Sequence, residues 1–113
     1  MGRVQNIVNG SDNIVSIILY ADGVPVNMVS SGITRIIIEV DDEAGTSLDS
    51  DVITSMAWNA PVDVDGQTAY PITFPGDDAG LAAGVYRDCF VRVFDNLNTT
   101  GIIWPDPVSF VVT

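Results

Sequence analysis

Acidic side chains are the groups in this sequence that are most able to do chemistry. The 113 residues carry 15 acidic side chains, 13 of them aspartates, against four basic ones, for a net charge of −11. Two carboxyl groups held roughly 5 to 9.5 Å apart across a cleft could hydrolyse a glycoside. A chain this short has little room for such a cleft, so we interpret its densest acids as a solvated turn and expect no enzyme activity. Those acids are Asp41, Asp42, Glu43, Asp49 and Asp51.

Several other catalytic groups are missing from the sequence. It contains no histidine, which removes the commonest general base and the commonest zinc ligand. All four basic residues are arginines, so Schiff-base chemistry through a lysine is excluded. The single cysteine, Cys89, lies in an apolar stretch. We therefore expect a buried, unreactive thiol and no disulfide.

Clustered carboxylates could also bind calcium, which prefers oxygen ligands. The sequence Asp63-Val64-Asp65-Gly66 does not complete the twelve-residue loop that ends in a bidentate Glu, and neither do the acids of residues 41–51. Asp-Gly is also a frequent hairpin turn. We expect turn chemistry here and predict no metal and no cofactor; Asp63 and Asp65 are the residues that would form a weak calcium site.

Charge and hydropathy restrict the partners. Binding nucleic acid takes clustered Lys and Arg, which an acidic chain with four arginines does not offer. The longest apolar stretches run to about six residues, far short of the roughly 20 that a membrane-spanning helix needs. The first six residues, MGRVQN, lack the apolar run of a secretory signal. We expect neither nucleic acid nor membrane as a partner, and no export.

The elements that position these residues are predicted to be β-strands. Short apolar segments recur between Gly, Asn, Asp and Pro turn signals, which favours a single all-β domain over residues 1–113, a sandwich or barrel of about seven to nine short antiparallel strands. The excess of Asp over Glu suits turns more than helices. The predicted strands cover residues 4–8, 14–21, 26–29, 34–40, 52–58, 68–74, 85–94, 102–104 and 108–112.

The two-residue period of a strand predicts which side chains face the core. Two strands are apolar on both faces, residues 14–21 and 85–94, and in the second Phe90 and Phe94 lie opposite the face of Val91. Such a strand is bulged, covered on both faces, or part of an interface. The clean alternation elsewhere predicts inward-facing Ile36, Ile38, Val40, Val108, Phe110 and Val112.

The two tryptophans are predicted to have different surroundings. Trp58 shares a strand face with Val52 and Met56, which favours the core. Trp104 follows two isoleucines and precedes Pro105, so it would lie at a sheet margin. There it could pack on the core or contact a partner, and the sequence leaves both open.

The turn before residues 85–94 resembles the corner that precedes strand F of an immunoglobulin-like sandwich. Residues 77–83 are predicted to hold at most one helical turn, ended by Gly84. Tyr86 then stands near the strand start, where such sandwiches have a tyrosine that bonds back to an upstream backbone group. They place a cysteine two residues later, and Asp88 occupies that position here. The resemblance implies an immunoglobulin-like sandwich without the inter-sheet disulfide.

Longer stretches of the chain resemble small tailed-phage virion proteins. An "aGxY … vxVyD … Gixw … v" progression near a compact C-terminus is typical of that group. The N-terminal stretches are also similar to the N-terminal domain of phage upper baseplate proteins. The matching segments are residues 80–86 (GLAAGVY), 91–95 (VRVFD), 101–104 (GIIW) and 108–112 (VSFVV), with 22–26 (DGVPV) and 33–36 (ITRI) nearer the N-terminus.

This resemblance implies a structural role in a virion. We expect a capsid decoration or cement protein, a homo-oligomer bound to the major capsid protein or to other virion proteins on the head surface, after assembly in the host cytoplasm. A tail, baseplate or neck connector is the alternative within this class, and a bacterial carbohydrate-binding or adhesin module is the alternative outside it. The predicted interface comprises Phe90, Phe94 and Trp104, with residues 1–12 as an N-terminal arm that includes Arg3 and Val4.

Overall fold

A computed structural model describes residues 3–40, 45–105 and 107–113. The all-β prediction is confirmed, but the described residues form twelve strands, more than the seven to nine expected, because two predicted segments are each split in two and three further short strands form outside the predicted segments. The strands are β1 (Arg3–Ile7), β2 (Ile14–Ile17), β3 (Tyr20–Ala21), β4 (Val24–Pro25), β5 (Arg35–Glu39), β6 (Ser47–Asp49), β7 (Val62–Val64), β8 (Gln67–Ala69), β9 (Ile72–Pro75), β10 (Gly84–Phe94), β11 (Ile102–Ile103) and β12 (Val108–Val112).

The larger sheet has the strand order β1-β12-β10-β5-β6, and β11 pairs with the end of β10. All its pairs are antiparallel except the first, since β1 runs parallel to β12. This corrects two expectations: the strands are not all antiparallel, and Arg3–Ile7 is a strand of the sheet rather than an arm. Burial of Ile7 explains the second correction, because its side chain packs in the core while its carbonyl oxygen accepts the N–H of Thr113.

A second layer covers one face of this sheet. Strands β2 and β9 pair with each other, and Ala57 adds a single bridge to Thr73 on β9. Alternation in β5 and β12 is confirmed, because all six side chains predicted to face inward are buried. The buried side chains of both layers form one cluster, which includes Ile36, Ile38, Val91, Val93, Phe110 and Val112 with Val15, Ile17, Ile72 and Phe74.

A bulge in β10 accounts for its irregular pattern. The register with β12 shifts between Tyr86 and Cys89, and Asp88 has a φ of 54° with its N–H bonded to Ser109 Oγ at 3.1 Å. The extra residue returns Cys89 to the core side of the strand, where it is fully buried.

Two predicted strands are absent. Residues 52–58 form turns, because the Asp49 carbonyl oxygen accepts the N–H groups of Val52 and Ile53. Residues 26–29 lead into another turn, in which Asn27 Oδ1 accepts the N–H of Val29 at 3.1 Å. Side-chain and carbonyl acceptors near a turn compete with sheet pairing in this way. Strands β4, β6 and β7 form outside the predicted segments.

The tyrosine corner is present. Tyr86 donates its hydroxyl proton to the carbonyl oxygen of Ala82, with 2.7 Å between the oxygens. The helical turn before it is a 3-10 helix, Gly76–Ala79, and it ends at Gly80, whose φ of 64° is left-handed, rather than at Gly84. In the described part of the chain, no helix has the length and apolarity needed to cross a bilayer.

Candidate interaction surface

The outer side of β10 carries the predicted aromatic residues. Cys89, Val91 and Val93 point into the core, so the residues that alternate with them point away from it. Neighbouring strands extend this surface, because Ile37 and Ile103 are both paired with Arg92. We call the surface the outer face and define it by Phe90, Arg92 and Phe94 of β10, Ile37 and Glu39 of β5, and Ile103 of β11.

Ion pairs lie between the apolar side chains of the outer face. Arg92 Nη2 lies 3.5 Å from Glu39 Oε2, and its Nη1 donates to the carbonyl oxygen of Thr100 at 3.2 Å. The face therefore combines apolar area with charges that already have partners within the chain. Surface pairs of this kind add little stability, but they reduce the cost of desolvation when another surface covers them.

Arg35 lies at one end of the outer face, where its guanidinium group contacts two carboxylates and the Phe94 ring. Its Nε and Nη2 donate to the two carboxylate oxygens of Asp49 at 3.0 and 2.5 Å, and Asp51 Oδ2 is 3.1 Å from Nε. The hydrogen bonds from Arg35 lower the pKa of Asp49, against the opposing effect of its partial burial. The guanidinium carbon also lies 5.4 Å from the centroid of the Phe94 ring, within range of a cation–π contact.

The five predicted interface residues do not all meet. Phe90 and Phe94 lie on the outer face, Phe90 as an exposed side chain, and exposed Val4 lies on the same side of the sheet two strands away. Trp104 is only partly exposed: it packs against the core and its Nε1–H donates to the carbonyl oxygen of Tyr20 at 3.1 Å. The backbone of Arg3 pairs with Val108, while its side chain lies outside what the structure describes.

The acidic motifs hold turns together. Asp65 and Gly66, with φ of 50° and 80°, form the two-residue turn between β7 and β8, the Asp-Gly type of hairpin. Asp63 lies on β7 and is exposed. Among the described residues no three His, Cys, Asp or Glu side chains group as metal ligands. Residues 41–43 lie outside the described residues.

Cys89 lies in the interior, and Trp58 packs against the core from the surface. Cys89 is buried and its thiol points to the carbonyl oxygen of Tyr86 at 3.8 Å. Trp58 is partly buried against the core, as predicted, although not from a strand face shared with Val52, which is exposed. Beside it lies a shallow hollow of about 280 Å³, lined by Met56, Ala57, Trp58 and Asn59.

Some exposed apolar residues lie outside the predicted interface. Ile103 belongs to the outer face because Trp104, the next residue along, turns towards the core. The two-residue period of a strand is the sequence signal for this, because it puts Ile103 and Trp104 on opposite sides. Leu97 and Val52 are also strongly exposed.

Comparisons with protein-family models, with curated proteins and with solved structures found no match to this chain.

Proposed function

We propose that the chain is an immunoglobulin-like β-sandwich that serves as a structural virion protein, a capsid decoration or cement protein. The observation that carries this proposal is the outer face, a sheet surface with Phe90 and Phe94 towards its two ends, Arg92 between them and its described charges already paired. The family resemblance of the sequence adds the virion context.

The strand order supports the immunoglobulin-like part. The order β12-β10-β5-β6 corresponds to strands G, F, C and C′ of a variable-type immunoglobulin sheet, and the pair β2-β9 corresponds to B and E. The bond from Tyr86 to Ala82 corresponds to the tyrosine corner. The bulge at Asp88 explains the displaced cysteine, because one extra residue moves Cys89 to the inward position that an inter-sheet cysteine would take.

The charge distribution supports a role in assembly. Among the described residues, Arg35 and Arg92 pair with three carboxylates at and beside the outer face, so these five groups carry a net charge of −1, against −11 for the whole chain. Copies that meet through the outer face would bring few like charges together. Burying its apolar area contributes roughly 25 cal/mol per Å², which many copies on a shell multiply.

Light scattering of the purified chain tests this function, alone and mixed with undecorated shells of the phage whose genome encodes it. We expect a defined oligomer and binding to shells at a stoichiometric copy number. Phe90→Ser should lower the oligomer mass, whereas Ile14→Ser, which changes an exposed side chain on the other layer, should not. A wild-type chain that does not bind shells would refute the decoration role, and binding to tails or baseplates instead would favour a connector.

One observation favours the carbohydrate-binding alternative. The hollow is lined by Trp58 and Asn59 among others, and a lining that combines an aromatic with a polar residue suits a sugar ring. A glycan array tests it, with Trp58→Ala as the control for any signal, and a calcium-dependent shift of the melting temperature would implicate Asp63 and Asp65. Glycan binding without shell binding would move the assignment to this class.

A further inference from the structure

Three turns leave the same end of the larger sheet. At that end β5 begins at Arg35 and β10 finishes at its partner Phe94, with the N–H of Thr34 bonded to the Phe94 carbonyl oxygen at 2.8 Å. Strand β6 also finishes there, because Asp49 pairs with Ile37 and binds Arg35. The turn that starts at Asn27 is closed by the bond from the N–H of Ile33 to the Met28 carbonyl oxygen at 3.3 Å and leads directly into Thr34 and β5. The turns that start at Asn27, Asp49 and Asp95 therefore belong to one end of the domain.

Each turn is built by the same device, a side-chain oxygen that accepts backbone N–H groups just ahead of it. Asp95 Oδ1 accepts the N–H of Leu97 at 2.9 Å and that of Asn98 at 2.7 Å. Asn27 Oδ1 accepts the N–H of Val29 at 3.1 Å.

In the third turn, Asp49 Oδ1 accepts the N–H of Asp51 at 3.0 Å, while its carbonyl oxygen accepts that of Val52 at 2.9 Å. All three turns are thus fixed by local hydrogen bonds, so their tips would lose little conformational freedom when a partner covers them.

Each turn presents an aliphatic side chain to solvent. Leu97 is 93% exposed, Val52 is 77% exposed and Val29 is 52% exposed. One exposed aliphatic residue is ordinary on a protein surface. Here three such residues project from the same end of the domain, and each lies on a turn that is fixed by its own hydrogen-bond acceptor. We call this set of exposed aliphatic side chains the turn surface (Val29, Val52 and Leu97).

The base of the Leu97 turn packs closely on β10, although the Leu97 side chain at its tip is exposed. Arg92 Nη1 donates to the Thr100 carbonyl oxygen. A Cβ at Gly101 would lie 2.6 Å from Arg92 Cγ and 3.0 Å from the Phe94 ring, so only glycine lets the loop approach this closely. The loop is therefore anchored on the same side chains that form the end of the outer face.

We propose that the turn surface is a second contact surface, separate from the outer face, and that it docks on the shell protein of the virion. This inference rests on the proposed function and names the part of the domain that meets the shell. The partner chemistry follows from the surface: aliphatic projections fit small aliphatic-lined hollows.

Charge complementarity argues for basic side chains at the rim of those hollows. Asp51 is exposed beside Val52, and the chain as a whole is strongly acidic. The same acidity opposes an anionic membrane surface, and the arginine at this end, Arg35, is held by two carboxylates. A protein surface is therefore the occupant that the charges favour.

The test measures binding to undecorated shells of the encoding phage for wild type and for the double variant Leu97→Ser with Val52→Ser. We expect at least a tenfold loss of affinity, an unchanged oligomer mass, and weaker wild-type binding at high salt. Ile14→Ser is the matched control, because Ile14 is 65% exposed and lies beside Pro75 on the other layer; it should bind like wild type. Leu97→Met, which keeps an apolar tip, should also retain binding.

The outcomes separate the two proposals. If wild type binds shells and the double variant binds equally well, the turn surface is not the contact, while the decoration role stands. If wild type does not bind shells, the decoration role fails, and this inference fails with it. If wild type binds neutral phosphatidylcholine vesicles and the double variant does not, the turn surface inserts into lipid and the protein partner is refuted. Equal melting temperatures of all variants show that each one folds.

Discussion

Gly76 and Asn13 are in closer contact than any other residue at position 76 would allow. A Cβ on Gly76 would lie 2.8 Å from Asn13 Oδ1 and 3.1 Å from Ile7 Cγ2. The Asn13 amide is fixed there, because it donates to the Asn6 carbonyl oxygen at 3.1 Å and accepts the N–H of Val8 at 3.4 Å. These two backbone groups lie on the edge of β1 that faces away from β12, so Asn13 covers part of an open sheet edge.

Substituting Gly76 should therefore destabilise the fold. We expect Gly76→Ala to lower the free energy of unfolding by about 1–3 kcal/mol, because the added methyl group must displace a bonded amide and a buried isoleucine. Urea denaturation measures the change. In a double-mutant cycle with Asn13→Ala the two effects should be less than additive, since the second variant removes the closest atoms. Full stability of Gly76→Ala would show that the site has room for the methyl group.

The tyrosine corner should contribute measurably to stability. Tyr86→Phe removes only the hydroxyl that bonds to Ala82, and we expect a loss of about 0.5–1.5 kcal/mol in urea denaturation. Tyr70→Phe is the matched control: Tyr70 packs against the core and no hydrogen bond of its hydroxyl is described. An equal effect of the two substitutions would mean that the corner bond adds nothing specific.

Substitutions of Trp104 and Phe90 should have different effects, the first on stability and the second on oligomer formation. Trp104 packs on the core and donates to Tyr20, so Trp104→Ala should cost about 2–4 kcal/mol of unfolding free energy. Phe90 is exposed, so Phe90→Ala should change stability by about 0.5 kcal/mol or less while lowering the oligomer mass in light scattering. A Trp104→Ala protein with wild-type stability would restore Trp104 as a candidate for partner contact.

Short-range patterns predicted the strands that follow a strict period of two. Ile36 and Ile38, like Phe110, are buried where alternation puts them. The sequence does not predict which distant strands pair. No residue pattern near Arg3–Ile7 indicates a parallel pairing with β12, which lies about a hundred residues further along the chain. The segment 52–58 has strand-like composition, but hydrogen bonds to Asp49 hold it in turns.

Part of the candidate surface follows from strand alternation alone, and part depends on contacts between distant residues. Alternation placed Phe90 and Phe94 on one side of β10, and the structure agrees. The sequence predicts Trp104 at a sheet margin and leaves core packing and partner contact both open, because no local pattern reveals that its indole N–H donates to the carbonyl oxygen of Tyr20 in β3. The exposed aliphatic of the Leu97 turn was detectable in principle, since Asp95 stands two residues before it in the spacing of a side-chain-capped turn.

Low pH should weaken the hydrogen bonds that Asp95 accepts in the Leu97 turn, and the substitution Asp95→Asn can isolate this effect on stability. The backbone N–H of Asn98, its side-chain amide and the N–H of Leu97 hold the pKa of Asp95 below its ordinary value. A carboxylate whose pKa is lower in the folded state contributes stability above its unfolded pKa of about 3.9 and loses it as the pH falls through the folded pKa. Asn at this position can still accept the backbone bonds, as Asn27 does, but it does not titrate.

We therefore expect wild type to be more stable than Asp95→Asn at pH 6, and the gap between their urea midpoints to shrink from about pH 4 downwards. The comparison must be a difference, because protonation of the other acids changes the stability of both proteins together: it relieves repulsion in a chain of net charge −11 and weakens the pair of Arg35 with Asp49. Asp12→Asn removes an exposed carboxylate with no hydrogen bond described, and it serves as the control for the loss of one negative charge. A gap between wild type and Asp95→Asn that stays constant from pH 6 to pH 3 would show that the hydrogen bonds to Asp95 do not favour its charged form.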